Sequence, residues 1–516
     1  MVQKRENIFE VYKPLRNHLR KCELANSLEV IRAYAQNLQF GNNNFPPYVE
    51  VLNEFLQKDH IQKTRWVSEW NLEILAKEVI INSPINEWNA KTFRRWSYFI
   101  GAVNKLKDIE GKIATDHIDV SNVLRELERM AHGQFGWQIG RPSAELMARY
   151  YRIYSTSEMD TLIRGAIGLT TKELYFMGVA LTGSFLTHFA LHYPPKIEIP
   201  GLTQEAMDKF LKHFSSDITT LKEKLICEQN INENYFYAFS SLRGYPIIKM
   251  DFEGRFCLTC PIPTLLFWRI TSGLYYEVVD QKGFDNAFGA SFQKYIGDCI
   301  SASITNENIT ALPEEKIREG KNEKDTVDWI IDDGKSAIFI ECKAKRMTMP
   351  SKTELVISDA FRRDVEKMAG FVVQVYKTIK DYRAGKYLSY SYDEKRKVYP
   401  LVVTLEDWHL FGDNDLLKAK IEEKLKAENI SLDWLSSMPY TICSAQEFEE
   451  MIQIIQFKGI DGVVGKKSKD PEKVKWAMAS FLSSEYPDEH KNTKALFLKD
   501  FNSIFPDEIV KKIKIK

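Results

Sequence analysis

Three charged residues in the C-terminal half of the chain have the types and the spacing that phosphoryl chemistry needs. Asp328 precedes a short apolar run, and Glu341 and Lys343 end the next apolar run. Residues two apart in a strand project from the same face, so Glu341 and Lys343 share a face. Carboxylates are hard oxygen ligands of the kind that Mg²⁺ prefers. A bound metal ion activates water and offsets phosphoryl charge, and an adjacent lysine orients that water or stabilises developing negative charge.

The residues between these groups predict a β-hairpin. Asp333-Gly334 is typical of a two-residue turn that requires positive φ at its central positions. With that turn, Asp328 lies opposite Phe339 and is the diagonal neighbour of Glu341, roughly 7–8 Å away along the backbone. An ordinary exposed hairpin with a salt bridge would show the same alternation, so the flanking segments must decide.

The pattern of Asp328 followed by Glu341-Cys342-Lys343 resembles the PD-(D/E)xK, or restriction-endonuclease-like, nuclease superfamily. The resemblance implies an α/β nuclease core of order αβββαβ, with a mixed sheet flanked by helices. It implies that Asp328, Glu341 and the backbone carbonyl of Cys342 bind Mg²⁺ or Mn²⁺. Lys343 would then position the attacking water. The implied activity is that of a metal-dependent phosphodiesterase.

The flanking segments have the order of elements that such a core requires. Apolar spacing predicts a helix over 283–304, a first strand over 309–313, a long helix over about 358–383 and a strand over 398–404. With the hairpin in the middle, the order is helix, three strands, helix and strand. The predicted core therefore occupies 283–410.

The predicted first core helix departs from the superfamily pattern. Many members carry a glutamate on this helix, and the position that aligns with it here is Gln293. A glutamine brings no charge but can support the site by orienting a water. Glu277 lies upstream and would serve only if the helix began earlier. This departure leaves the number of bound metal ions open, at one or two. It also keeps open the alternative that the chain is a catalytically degenerate nuclease-fold protein, which binds nucleic acid or a partner without cleaving.

The predicted helix after the hairpin carries polar residues suited to phosphate contacts. Arg363, Lys367, Gln374 and Lys377 recur at a spacing that places them on one helix face. The segment 342–397 contains 14 Lys and Arg against 7 Asp and Glu, whereas the whole chain has a formal net charge of zero. A local positive field beside a metal site suits a polyanionic substrate. Together with the resemblance, it indicates a nuclease that acts on nucleic acid, with DNA favoured over RNA. A solvated helix face would show the same pattern.

The rest of the chain is predicted to surround this core with helical regions. A length of 516 residues predicts two or three domains. We expect a large, mostly all-α N-terminal domain over 1–245 for recognition or regulation, and a bridging hairpin and helix over 246–282. A mostly helical extension over 411–516 is expected to pack on the core.

The amino-acid composition indicates the cellular compartment and limits the expected binding partners. Seven scattered cysteines indicate no disulfide framework and favour the cytoplasm. The uncharged segment 174–193 is about as long as a membrane span, but its polar residues favour a buried helix, so we expect no membrane partner. Proteins that combine this core with a large unrelated domain resemble bacterial or phage defence nucleases at the level of fold. The sequence leaves open whether the chain forms a homo-oligomer or binds a partner protein. It also leaves open the alternative of an all-helical interaction protein with an incidental hairpin.

Overall fold

Helices dominate the chain up to residue 244, as apolar periodicity predicts. The structure is a computed structural model and describes residues 7–85, 91–138, 143–195, 201–319, 322–410 and 415–505. Its first helices are α1 (Ile8–Leu19), α2 (Leu24–Phe40), α3 (Asn53–Gln57), α4 (His60–Trp66), α5 (Glu69–Asn82), α6 (Trp96–His117), α7 (Val123–Met130), α8 (Gly136–Gln138), α9 (Ala144–Tyr154), α10 (Ser157–Ile167), α11 (Thr171–Thr187), α12 (Gln204–Phe214), α13 (Ile218–Glu228) and α14 (Ser241–Gly244). A π-helical turn, Ala131–Phe135, joins α7 to α8.

The long uncharged segment of the N-terminal half forms the predicted buried helix over most of its length. Thr170 and Glu173 form a reciprocal capping box at the start of α11, which satisfies backbone donors that the helix leaves without partners. The helix ends at Thr187, before the predicted end, because Ala190–His192 joins a sheet as β1. Among the residues that the structure describes, no helix has the length and apolarity of a membrane span.

A four-stranded sheet connects the N-terminal helices to the middle of the chain. Its strands are β1 (Ala190–His192), β2 (Ser215–Asp217), β3 (Ile247–Phe252) and β4 (Arg255–Thr259), in the order β1-β4-β3-β2. The predicted hairpin is confirmed as β3 and β4. The helix predicted after it is interrupted by a 3-10 turn, so it forms α15 (Pro263–Ile270) and α16 (Tyr275–Val278).

A mixed five-stranded sheet organises the C-terminal half. The strands here are β5 (Thr310–Pro313), β6 (Lys316–Glu319), β7 (Asn322–Asp325), β8 (Trp329–Asp332), β9 (Ser336–Lys343), β10 (Lys397–Thr404) and β11 (Thr441–Ser444). The sheet order is β11-β10-β9-β8-β5, while β6 and β7 form a separate hairpin. β8 is antiparallel to β5 and β9, and β10 is parallel to β9 and β11.

The helices around this sheet complete the predicted order of elements. They are α17 (Phe284–Ser303), α18 (Met349–Thr353), α19 (Asp359–Arg383), α20 (Asp415–Ala427), α21 (Asp433–Ser437), α22 (Ala445–Lys458), α23 (Lys466–Lys469), α24 (Met478–Glu485), α25 (Pro487–Lys491) and α26 (Leu498–Asn502). Ser358 caps α19 by accepting from the backbone N–H of Phe361 (3.4 Å), as N-cap serines do. The order α17, β5, β8, β9, α19, β10 is the predicted one, with the β6–β7 hairpin inserted after the first strand. That this arrangement is a nuclease fold stays a prediction.

The two faces of the five-stranded sheet are buried by different helices. Alternate residues of a strand point to opposite faces. Ile338 and Ile340 enter a core that includes α17 and α22, whereas Ala337 and Phe339 enter a core built mainly with α19. Glu341 and Lys343 continue the second series, so both are directed to the α19 side of the sheet.

The helices before residue 245 contribute to two hydrophobic cores. Buried side chains of α1, α2, α5 and α6 pack with those of α13 and β3, whereas those of α9 to α12 share the core of α17 and α22. A buried ion pair strengthens the second connection, because Arg149 on α9 binds Glu449 on α22 through Nε (2.5 Å) and a terminal nitrogen (3.0 Å). The Tyr295 hydroxyl of α17 donates to the same carboxylate at 2.7 Å.

Candidate active site

The predicted hairpin is formed by β8 and β9, but its turn lies one residue later than predicted. The backbone N–H of Asp333 donates to the Ser336 carbonyl at 3.1 Å, so the two central turn residues are Gly334-Lys335. Gly334 has a φ of 82°, a conformation that glycine adopts without a Cβ penalty. The carboxylates of Asp332 and Asp333 accept from the N–H groups of Gly334 (2.7 Å) and Ser336 (2.8 Å). These side-chain bonds stabilise the later turn.

This turn brings the two candidate metal ligands closer together than predicted. Trp329 pairs with Ile340, which makes Asp328 the direct neighbour of Glu341 across the hairpin. The predicted pairing of Asp328 with Phe339 is wrong by two residues. A shift of two residues keeps every side chain on its predicted face, whereas a shift of one would have reversed the faces.

Asp328 is oriented by the backbone of the facing strand. Its Oδ2 accepts from the N–H of Cys342 at 2.6 Å, just beyond the point where backbone pairing between β8 and β9 ends. The carbonyl of Lys343 accepts from Leu405 on the β10 side. Because backbone groups alternate in direction along a strand, the Cys342 carbonyl points to the Asp328 side. Asp328 and the carbonyl of Cys342 therefore lie at the same edge.

Glu341 is a buried carboxylate with one satisfied oxygen. Its side chain is 3% exposed, and its Oε1 accepts from the Lys343 ammonium at 2.5 Å. In the part of the chain that the structure describes, its Oε2 is buried without a hydrogen-bond partner. Leaving a buried charged oxygen without a partner is costly. A divalent cation between Glu341 and Asp328 would supply the missing partner, so these donors fit Mg²⁺ or Mn²⁺.

Burial raises the pKa of both carboxyl groups, and the charge of a neighbouring carboxylate adds to each shift. Burial is the largest cause for Asp328, whose pKa rises to about 6 although the Cys342 N–H opposes the shift. Burial also dominates for Glu341, whose pKa rises to about 7, with the charge of Asp328 as the second cause and Lys343 opposing. Positive charge placed between two such carboxylates favours their ionised forms.

Glu314 is a third acid near this pair that the sequence-based prediction did not include. It directly follows β5, and its backbone N–H donates to the Asp328 carbonyl at 2.9 Å. Its charge contributes to the raised pKa of both Asp328 and Glu341. The signal in the sequence was an acid at the end of the first strand, whereas the superfamily pattern directed attention to the helix. Across the described ranges, no three His, Cys, Asp or Glu side chains are grouped closely enough to hold a metal ion.

Gln293 reaches the site through its backbone and through Trp329. The carbonyl of Gln293 on α17 accepts from Trp329 Nε1 at 3.1 Å, and Trp329 immediately follows Asp328. Among the described residues, no hydrogen bond joins the Gln293 side chain to the carboxylates or to Lys343. Trp329 also packs over Gly297, where an added Cβ would lie 2.7 and 2.9 Å from the indole Cη2 and Cε2 atoms and closer still to Cζ2. α17 therefore positions Asp328 from the opposite face of the sheet.

Glu277 takes no part in the site. It lies in α16, outside α17, and accepts from His213 (2.9 Å) and from Arg269. These contacts keep its carboxylate within the middle region of the chain. The alternative in which Glu277 replaces the superfamily glutamate is wrong.

The predicted nucleic-acid-binding residues lie on α19, and two of them flank the site. The Lys343 ammonium lies 5.2 Å from the ring centroid of Phe371. Lys367 and Gln374 are four residues before and three residues after Phe371, so they occupy adjacent turns of the same helix face. Both are exposed. They are the members of the predicted set whose helix positions lie beside Phe371.

The other two predicted contact residues, Arg363 and Lys377, lie further from Phe371 around the circumference of α19. Arg363 is exposed near the start of α19. Lys377 binds Glu428 after α20 at 2.8 Å, and Lys367 binds Asp364 at 3.0 Å. The positive face is thus partly neutralised by the protein itself.

Comparisons of the chain with protein-family models, with curated proteins and with solved structures find no match. The functional assignment therefore rests on the residues of the hairpin and their surroundings.

Proposed function

We propose that the protein is a metal-dependent nuclease that hydrolyses phosphodiester bonds, with DNA favoured over RNA as substrate. The observation that carries the proposal is the pairing of Asp328 with Glu341 across the end of the hairpin. Lys343 lies 2.5 Å from one Glu341 oxygen, and the other oxygen has no hydrogen-bond partner among the residues that the structure describes. A structural salt bridge would require only one of these two acids.

The roles of the side chains follow from their contacts. Asp328, Glu341 and the carbonyl of Cys342 would hold Mg²⁺ or Mn²⁺. When bound, the ion supplies positive charge to the phosphoryl oxygens and lowers the pKa of the attacking water. Lys343 is 21% exposed, so its ammonium can donate to that water or to a phosphate oxygen while it stays beside Glu341. Gln293 supports the site through the carbonyl that holds Trp329.

Positively charged side chains near the hairpin indicate the substrate class. The backbone of a nucleic acid carries one negative charge per nucleotide, and contacts from Lys and Arg dominate its affinity. Lys367 and Gln374 lie on turns of α19 next to Phe371, over which the Lys343 ammonium sits. Phosphates on either side of the scissile bond would meet these side chains. A role in bacterial or phage defence rests on resemblance at the level of fold and is part of the proposal.

The test is a cleavage assay with matched lysine variants from the same hairpin. Supercoiled plasmid, linear duplex DNA and RNA are incubated with Mg²⁺, with Mn²⁺ and with chelator. We expect the wild type to cleave DNA only with metal, and Lys343→Ala and Glu341→Gln to lose about 100-fold or more. Lys335→Ala, at the exposed turn of the same hairpin, should keep full activity. Equal cleavage by wild type, Lys343→Ala and Glu341→Gln would refute the catalytic assignment.

A second candidate function is a nuclease-fold protein that binds nucleic acid without cleaving it. It is favoured by the Lys343–Glu341 ion pair, which neutralises one of the two acids, and by the lack of a three-acid group among the described residues. Gel-shift assays with the same plasmid fragments distinguish the two functions. Metal-independent DNA retention, with no cleavage under any condition, would favour this binding function.

A further inference from the structure

A cavity of about 870 Å³ lies apart from the hairpin, between the N-terminal helices and the segment that follows β9. Its walls come from α5, the π-helical turn, residues 235–245, α15 and residues 346–353. Small-molecule sites commonly have volumes of about 300–1,000 Å³. Asp328, Glu341 and Lys343 do not line it, so the cavity is a separate feature from the candidate active site.

The lining of this cavity is cationic and aromatic. Seven lining side chains are Lys or Arg and two are Glu, while eight are Phe, Tyr or Trp. Five of the seven cations contact a carboxylate: Arg243 with Glu73, Arg269 with Glu277, Arg129 with Glu126, and both Arg346 and Lys352 with Glu406. Within the described residues, the remaining two, Lys77 and Lys224, have no carboxylate partner. The cavity therefore carries positive charge that the protein does not neutralise.

Lys77 is the more deeply buried of the two cavity lysines that have no carboxylate partner among the described residues. Its side chain on α5 is only 5% exposed, and its ammonium lies 5.2 Å from the ring centroid of Tyr235. Lys224 is half-buried with its ammonium 3.9 Å from the centroid of Tyr245. A buried charge without a counter-charge is unfavourable, whereas aromatic faces compensate it only in part. An anion that enters the cavity would supply the missing partner.

We infer that this cavity binds a nucleotide. A phosphate monoester carries about −1.5 to −2 charges at neutral pH, which matches the two ammonium groups of Lys77 and Lys224. Phe239 and Tyr276 line the same cavity and are 46% and 49% exposed, so they offer ring faces on which a planar base can stack. The phosphate and the base thus meet different parts of one lining. The site is independent of the proposed hydrolysis.

The position of the cavity links an occupant to the end of β9. Arg346 lines the cavity three residues after Lys343 and donates to the Ser272 carbonyl at 2.7 Å. Its Nε is buried without a hydrogen-bond partner in the part of the chain that the structure describes. An occupant of the cavity would therefore lie against the segment that leaves the hairpin.

The test measures binding of defined ligands to the full chain. AMP, GMP, CMP, UMP, adenosine, inorganic phosphate and an eight-residue oligothymidylate are titrated by calorimetry, with tryptophan fluorescence as a second signal because Trp70 and Trp268 line the cavity. We expect at least one nucleoside monophosphate to bind more tightly than adenosine, phosphate or the oligonucleotide. Lys77→Gln and Lys224→Gln should each weaken that binding by about tenfold or more.

The control is another buried lysine. Lys63 on α4 is 8% exposed and donates to Asn37 at 3.0 Å, and it does not line the cavity. Lys63→Gln should leave the affinity unchanged. Failure of every monophosphate to bind, unchanged affinity in both Lys77→Gln and Lys224→Gln, or preferred binding of the oligonucleotide would each overturn the inference. If Lys77→Gln does not fold, Lys224→Gln on α13 decides. Cleavage assays report separately on the hairpin.

Discussion

The contact between α17 and the hairpin gives the sharpest prediction, because two glycines of one helix provide their own control. A Cβ at Gly297 would overlap the indole of Trp329, whereas a Cβ at Gly289 would meet no atom within 4 Å. Both residues lie inside α17, where alanine is favoured over glycine by roughly 0.5–1 kcal/mol. The two Gly→Ala substitutions are therefore expected to change stability in opposite directions.

The magnitude follows from the overlap. Inserting a methyl group into a packed core typically costs about 1–3 kcal/mol, because neighbouring side chains leave their rotamers or the backbone shifts. Subtracting the helix preference leaves a net loss of about 0–2.5 kcal/mol for Gly297→Ala, and the close overlap with the indole makes the upper part of that range the expected one. For Gly289→Ala we expect a gain of about 0.5–1 kcal/mol. Displacement of Trp329 also moves the adjacent Asp328, and a shift of about 1 Å at a reacting group costs about 100-fold in rate.

Urea unfolding and the metal-dependent cleavage assay measure the two effects separately. Gly297→Ala should lose stability and, while still folded, lose most of its cleavage rate. Gly289→Ala should gain stability and retain activity. If both variants were as stable as the wild type, the indole would not fill the space beside Gly297. If Gly297→Ala lost stability but kept its rate per folded molecule, Trp329 would pack without positioning Asp328.

Three further predictions concern charge. The pKa of Glu341 is raised from an ordinary value of 4.5 to about 7 in the fold, so its contribution to stability is complete below pH 4.5 and is lost as pH rises through about 7. Metal-free Glu341→Gln should therefore be more stable than wild type by about 3 kcal/mol at pH 8 and by less than about 1 kcal/mol at pH 5, and an equal difference in urea unfolding at both pH values would contradict this. Mg²⁺ at about 100 times its Kd should stabilise the wild type by about 2.7 kcal/mol at pH 8 and by less at pH 6, and thermal unfolding of Asp328→Asn should show little of this gain. Arg149→Met should lower the free energy of unfolding, measured in urea, by about 3–5 kcal/mol because it leaves the buried Glu449 without its ion-pair partner. The double variant Arg149→Met, Glu449→Leu should lose much less, and a larger loss in the double variant would refute this account.

Local sequence patterns were sufficient to predict the elements of the C-terminal core. The apolar repeat and the Ser358 cap predicted α19, and alternation predicted β9, because helix and strand periods depend on backbone geometry alone. A short apolar run predicted β10. The same alternation placed Glu341 and Lys343 on one face. Each of these predictions depends on residues close together in the chain.

Tertiary structure decided the features that join distant residues. Asp332 and Asp333, which flank the hairpin turn, accept from the Tyr390 hydroxyl (2.9 Å) and from the backbone N–H of Ile460 (2.9 Å), and the pairing after this turn brings Asp328 opposite Glu341. Packing placed the charge of Glu314 beside the two carboxylates.

Burial, which also depends on the tertiary structure, distinguishes the two charged residues on which the proposed sites depend. In the sequence, Lys77 is one lysine of an ordinary helix, and Glu341 is one acid of an alternating strand. The fold removes both side chains almost completely from solvent and leaves Lys77 without a carboxylate among the described residues. Local sequence is enough to establish which residues share a helix face or a strand face, since those distances are set within a few residues. Burial and charge pairing follow instead from the complete fold, because they depend on side chains contributed from far along the chain.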